Sequence, residues 1–269
     1  MRILCLTSFL FIKLFLLAQN GTITLKNPSF EGIAAEGGMT ASKLPEGWHD
    51  CGFPGETPPD VHPKAGAGAF QVTTKPSHGN TYLGFVVRDN DTWEMVSQKL
   101  SSPIKAGVTY AFSIDLCRSP TYLSASRTTG EPVNYTTPLT LRIWGGNGFC
   151  SRQEILATSP LIIEAAWKKY DLELKPSEDF QYIVLEAFYK TPTPFPYNGN
   201  LLMDNASDIT VAQPAIPLTE ADRQEFSMPL MGTEFRIVVY HPDNLKVEEA
   251  VEKAFKRVAV LEKVFSDYE

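Results

Sequence analysis

The side chains able to do chemistry are dispersed along this 269-residue chain. His49, His62, His78 and His241 share no helical i, i+4 spacing or other ligand arrangement. No nucleophile elbow and no phosphate loop occurs, so no catalytic residue is assigned. Asp89, Asp91 and Glu94 crowd into one run, Arg-Asp-Asn-Asp-Thr-Trp-Glu, whose ordinary reading is a solvated loop. Trp48, Trp93, Trp144, Tyr122 and Tyr197 offer rings that could stack on a flat ligand. Several of them stand in Gly/Pro-rich stretches, as Trp48 does in Pro45-Glu-Gly-Trp-His-Asp-Cys-Gly52. Such rings are more often packed in a core than presented to a ligand.

Composition narrows the class of partner. Hydrophobic content of 43% and charged content of 20% are ordinary for a globular protein. The formal net charge of -7 and the lack of any Lys/Arg run argue against a nucleic-acid partner. Arg2 followed by an apolar run over 3–17, broken by Lys13, fits a secretory signal peptide over 1–19 better than a membrane span. No later stretch is apolar enough to cross a bilayer. The expectation is an exported protein, periplasmic or at the cell surface, without an integral membrane segment after cleavage. Cleavage would leave Cys51, Cys117 and Cys150, which allow three alternative single pairings and leave one thiol over. No Cys-x-x-Cys spacing supports a zinc or thioredoxin-type site, and buried free thiols are the default.

The elements that must position these groups are mostly strands. In Tyr110–Cys117 the residues Tyr110, Phe112, Ile114 and Leu116 alternate with Ala111, Ser113 and Asp115, a strand with one face on a core. Tyr170–Leu174 alternates too. The stretch 181–189 is apolar on both faces, as a central strand would be. Leu139–Trp144 reads as a strand ending against the turn signal Gly145-Gly146. Many short strands between Pro/Gly-rich loops predict a β-sandwich over 20–211.

Both ends of that module carry a resemblance. Asn27-Pro-Ser-Phe-Glu31 opens it and Asp204-Asn-Ala-Ser-Asp-Ile209 closes it, with Pro103-Ile-Lys-Ala-Gly-Val108 leading into a strand. These motifs resemble the jelly-roll carbohydrate-binding modules and their galactose-binding-like relatives. The resemblance implies that the first and last strands lie side by side. It also implies a glycan partner stacked on exposed aromatic rings. A structural calcium ion is implied as well, with Glu31 and Asp204 as side-chain ligands, as suits a hard cation.

Residues 212–225 read as a linker, since Pro214 and Pro217 lack amide donors and the remainder is polar. From Phe226 the pattern changes. Phe235–Tyr240 predicts a strand, and His241-Pro-Asp-Asn244 a turn with Asn244 as helix cap. Val247, Ala250/Val251, Ala254/Phe255, Val258, Leu261 and Phe265 then recur at helical spacing, giving one apolar stripe. Glu and Lys at i, i+4 populate the other face.

Met231-Gly232-Thr233 ahead of the strand, and Leu261-Glu-Lys-Val-Phe-Ser-Asp-Tyr268 at the helix end, resemble the start of the FAD:protein FMN transferases, the ApbE family. That family moves FMN from FAD to a Thr or Ser of an acceptor flavoprotein, with Mg2+. The resemblance implies FAD contacts at Met231 and Tyr268. The later flavin-binding and acidic motifs of that family have no counterpart here. Residues 226–269 are therefore expected to be a truncated beginning, inactive as it stands. The fold class expected is mainly β: a jelly-roll sandwich, a linker and a truncated β–α fragment of an α+β domain. Three functions follow: an exported flavin transferase with an accessory sandwich, a secreted glycan-binding module without catalysis, or an accessory sandwich that binds protein or orients the enzyme at an envelope surface.

Overall fold

A computed structural model describes residues 21–35, 44–64, 69–213, 219–230 and 232–265. The leader region, Met231 and Tyr268 lie outside the described residues. The chain forms two compact units, 1–212 and 213–269.

The first unit is a two-sheet sandwich. Its strands are His49–Asp50 (β1), Asp60–His62 (β2), Tyr82–Val87 (β3), Met95–Ile104 (β4), Tyr110–Cys117 (β5), Leu123–Ala125 (β6) and Pro132–Asn134 (β7). Leu139–Gly146 (β8), Glu154–Thr158 (β9), Lys168–Leu174 (β10), Phe180–Tyr189 (β11), Gly199–Asp204 (β12) and Thr210–Val211 (β13) follow. One sheet runs β1-β4-β11-β8-β9. The other runs β10-β5-β12-β3-β2, with β13 also pairing β5. Every strand pair is antiparallel. The small β6–β7 hairpin stands apart.

The alternation read from sequence sets the inner faces. Phe112, Ile114 and Leu116 of β5 join Leu83, Phe85 and Val87 of β3, Leu141 and Ile143 of β8, and Ile183 and Leu185 of β11 in one buried core. Each such side chain contributes about 1.5–3 kcal/mol by leaving water. The two ends of the module meet: Ile23 and Ile209 exchange backbone hydrogen bonds of 2.8 and 2.9 Å, and Ala206 donates to the Pro28 carbonyl. The adjacency implied by the first resemblance is present.

Three local readings need correction. Gly145 and Gly146 do not end β8; the strand runs through both. A Cβ on Gly145 would enter the Phe180 ring, and one on Gly146 the Ser151 carbonyl, so close packing rather than a turn requires them. The run from Arg88 to Glu94 is not a uniformly solvated loop. It forms the β3–β4 turn, with Arg88 N–H donating to the Thr92 carbonyl, and buries both its ends. The helix cap is Asp243, not Asn244: Asp243 accepts from Lys246 and Val247 backbone N–H, whereas Asn244 Oδ1 accepts from Gln224.

The second unit is a hairpin, Arg223–Leu230 (β14) with Thr233–Tyr240 (β15), and the helix Asn244–Phe265 (α1). β14 was not foreseen, and it takes over residues 223–225 of the expected linker. Pro229 masked it, but a two-stranded sheet is all edge and tolerates a missing donor. Gly232, at φ +69, supplies the left-handed residue of the connection. Val247, Val251 and Phe255 are buried against Leu230, with Phe226, Phe235, Ile237 and Val239 only partly covered. Among the described residues no helix is long and apolar enough to cross a membrane.

Candidate functional site

The outer face of the five-stranded sheet carries the chemistry. Register places His49, Ser97, Val184, Trp144 and Ile155 in one row across it, and Met95, Glu186 and Arg142 in the next. Glu186 sits mid-strand in β11 and is fully buried. An isolated carboxylate there would be costly unless saturated with donors. It is: Glu186 Oε1 accepts from Trp93 Nε1 at 2.8 Å and Arg152 Nη1 at 2.5 Å, and Oε2 from Trp144 Nε1 at 2.7 Å. Arg142 Nη1 lies 3.9 Å from Oε2, and its guanidinium carbon stands 3.4 Å above the Phe188 ring centre. One carboxylate thus fixes two indoles and compensates two guanidiniums.

Two loops frame this face. Phe53 packs edge-on against Trp93, and Phe149 packs against both His49 and Tyr182. A disulfide joins Cys51 to Cys150, with Cα atoms 5.3 Å apart, and so ties the Phe53 loop to the loop bearing Phe149 and Arg152. Of the three pairings the sequence left open, this is the one formed. Cys117 is the remaining thiol, buried, and burial pushes its pKa up to about 12. The surface along this face is apolar and aromatic: Phe149 and Ile155 are exposed, Tyr182 and Trp144 half-buried.

The aromatic candidates separate by role. Trp48 is buried, packed at a tilt against Phe30, and donates to the Asn27 carbonyl, so it is a core residue. Tyr122 is buried, its hydroxyl bonded to the Asp60 carboxylate. Tyr197 donates to the Pro138 carbonyl and packs against Tyr189. Trp93 is largely enclosed by Phe53, Phe188 and Tyr189. Trp93 and Trp144 both have rings fixed by Glu186 on the outer sheet face, and Trp144 is the one of the two set within a strand. Arg142, Arg152 and Glu186 were not singled out from sequence. A lone glutamate in an otherwise apolar strand was the available signal, because a buried carboxylate demands partners.

Glu31 and Asp204 come together on one loop. Glu31 Oε1 accepts from Asn80 N–H at 2.8 Å. Asp204 Oδ2 accepts from Ser77 and His78 N–H at 2.9 and 2.8 Å. Asp204 Oδ1 accepts from the Ser29 hydroxyl and from Asn205 N–H at 3.1 and 2.6 Å. Four donors fill the roughly four lone-pair sites of a carboxylate. The donor set suits a hydrogen-bonded staple between the chain ends. A calcium ion on these two residues would have to displace N–H groups that already point at Asp204.

A second concavity lies between β2, β3, β6 and the turn Ala69–Gln71. Its volume is about 190 Å3, and Thr57, Asp60, Phe70, Val86, Arg88, Glu94, Tyr122, Ser124 and Arg127 line it. Arg88 is 2% exposed; its Nη2 bonds Glu94 and Thr57, and its Nε lies 3.4 Å from Glu56. Burial, reinforced by Asp60 and opposed by Arg88, pushes the Glu94 carboxyl up to about 8.

Comparison with known proteins gives likeness of architecture at low identity. No family model matches the chain, and no curated protein does. Among solved structures, a xylan-binding CBM22-1 domain of Paenibacillus barcinonensis Xyn10C is 16% identical with a TM-score of 0.41, over 74% of this chain and 99% of that one. A CBM29-2 variant complexed with mannohexaose is 14% identical at 0.35, over 72% and 96%. An arabinose-bound GH51 α-L-arabinofuranosidase is 13% identical at 0.45, over 71% of this chain and 26% of its own length. With scores below 0.5, none of these carries a functional conclusion.

Proposed function

We propose that the sandwich is an exported glycan-binding module whose ligand lies on the outer face of the five-stranded sheet. One observation carries this: Glu186 locks the Trp93 and Trp144 indoles and the Arg152 guanidinium to a single buried carboxylate. A ring held that way presents a flat apolar surface without losing side-chain freedom on binding. Sugar rings offer a matching C–H face, and the half-exposed Arg142 and Arg152 offer donors for hydroxyl oxygens. The Cys51–Cys150 disulfide supports export, since such bonds persist in oxidising compartments. The test is retardation of the protein in gels containing soluble polysaccharides, comparing wild type with Trp144→Ala. Retardation lost on substitution in protein that is still cooperatively folded at the assay temperature supports the reading; equal retardation sinks it.

Flavin transfer is the second reading, and it rests on the sequence resemblance. The separate hairpin–helix unit, with Gly232 in its turn and a half-covered apolar face, is in keeping with the opening of a larger domain. FAD, Mg2+ and an acceptor flavoprotein belong to that proposal. Titration of FAD fluorescence with the protein tests it; an unchanged signal with and without Mg2+ would remove it.

A further inference from the structure

The pocket beside β2 and β3 is independent of the outer sheet face and has the makings of a ligand site. Its wall is aromatic: Phe70 and Tyr122 stack with ring centres 5.2 Å apart and planes 10° apart. Phe70 holds φ 51 and ψ 26, and Gln71 φ 60, left-handed values that bulky side chains adopt at a cost. Its floor is polar. Arg88 Nη1 is buried and has no hydrogen-bond partner among the described residues. A buried donor without an acceptor is costly, of order 1–3 kcal/mol, and a ligand oxygen would relieve it.

The lining decides the ligand class. With Glu94 protonated, Asp60 and Glu56, the latter paired with both guanidiniums, face Arg88 and Arg127, so the formal charges cancel. A site for phosphate or a carboxylate would carry an excess of cationic groups, and a site for a cation an excess of acids. A balanced set of donors and acceptors around a stacked aromatic wall suits a neutral ring bearing several hydroxyls. At about 190 Å3 the space falls below the roughly 300 Å3 where drug-sized sites begin, so it admits one ring and not a chain.

We propose that this pocket binds a single neutral sugar unit, either a free monosaccharide or the terminal residue of a glycan. It extends the glycan-binding reading to a second site that recognises an end rather than a length of chain.

The experiment is calorimetric titration of the full chain with neutral hexoses and pentoses, free and as methyl glycosides, with glucuronate and inorganic phosphate as charged probes. At least one neutral sugar is expected to saturate one site. Phe70→Ala and Arg127→Gln, which lie at the wall and rim, are expected to weaken it about tenfold or more, with melting temperature kept. Trp144→Ala is expected to leave it unchanged. Preference for a free sugar over its methyl glycoside marks the monosaccharide. Equal binding of both, and of oligosaccharides of any length at one site per chain, marks the terminal residue. Tighter binding of glucuronate or phosphate, no neutral sugar bound, or neutral binding insensitive to both pocket variants would overturn the proposal. If polysaccharide retardation still depends on Trp144 in that event, the pocket assignment fails while the outer-face reading stands.

Discussion

Replacing Glu186 with glutamine probes how the outer face is held. The amide keeps one oxygen, which can retain the two donors now on Oε1, Trp93 Nε1 and Arg152 Nη1. The NH2 group then faces Trp144 Nε1, donor against donor, where Oε2 now accepts at 2.7 Å. Arg142 and Arg152 also lose their shared counter-charge. A charge-assisted hydrogen bond is worth about 1.5–3 kcal/mol, and breaking a buried ion pair costs about 3–5 kcal/mol. Both guanidiniums are partly solvated, so the lower end applies, about 3 kcal/mol. For a domain of this size that is a fall in melting temperature of about 6–12 °C. Thermal melts followed by circular dichroism, with the disulfide intact, measure it. Glu173→Gln, which breaks only an exposed pair with Lys175, serves as control and should shift almost nothing. Trp144→Phe should show a smaller loss than Glu186→Gln, because it removes one donor and leaves the charges paired. A Glu186→Gln variant that melts within about 2 °C of wild type would refute the view that this carboxylate organises the face.

Gly145→Ala should cost about 1–3 kcal/mol by driving a methyl group into the Phe180 ring; an unchanged melting temperature would show that the ring can move aside. Cys51→Ser with Cys150→Ser opens a link spanning 99 residues, worth about 4–5 kcal/mol on the chain-entropy account, and should lower both melting temperature and glycan retardation. Glu94 is neutral in the folded state up to about 8, whereas its unfolded form ionises near ~4.3. The unfolded chain therefore binds fewer protons between those values, and stability falls as pH rises through that window. Melting temperature should drop between about pH 5 and pH 8 in wild type but less in Glu94→Gln; parallel profiles would contradict this. With Asp204 saturated by four donors, EGTA should leave the melting temperature unchanged, and a clear fall would instead place calcium at Glu31 and Asp204.

Much of the sandwich is legible in the chain because period-two alternation reports burial directly. Tyr110–Cys117 shows this best: the residues expected inward are the ones in the core. Glycine is harder to read, since one residue type serves both turns and close approaches. Gly145 and Gly146 belong to the second kind, which only the position of Phe180 and Ser151 reveals. The site was less legible than the fold. Trp48 and Trp144 have the same side chain in similar Gly-rich surroundings, and register alone puts one inside and the other on a face. The pocket unites residues from 57 to 127 across three connections, so no local pattern announces it. Glu186 is the instructive case. Its apolar neighbours mark a buried strand, and its charge within that strand marks a partner network, but the partners lie 34 to 93 residues away.

The most direct test of the central claim is affinity electrophoresis of wild type and Trp144→Ala through a panel of soluble neutral polysaccharides. Slowed migration of wild type in at least one of them, abolished by the substitution in protein that still unfolds in one cooperative transition above the assay temperature, is the expected result. Free migration of wild type through the whole panel, or slowing that survives the loss of the indole, would contradict it.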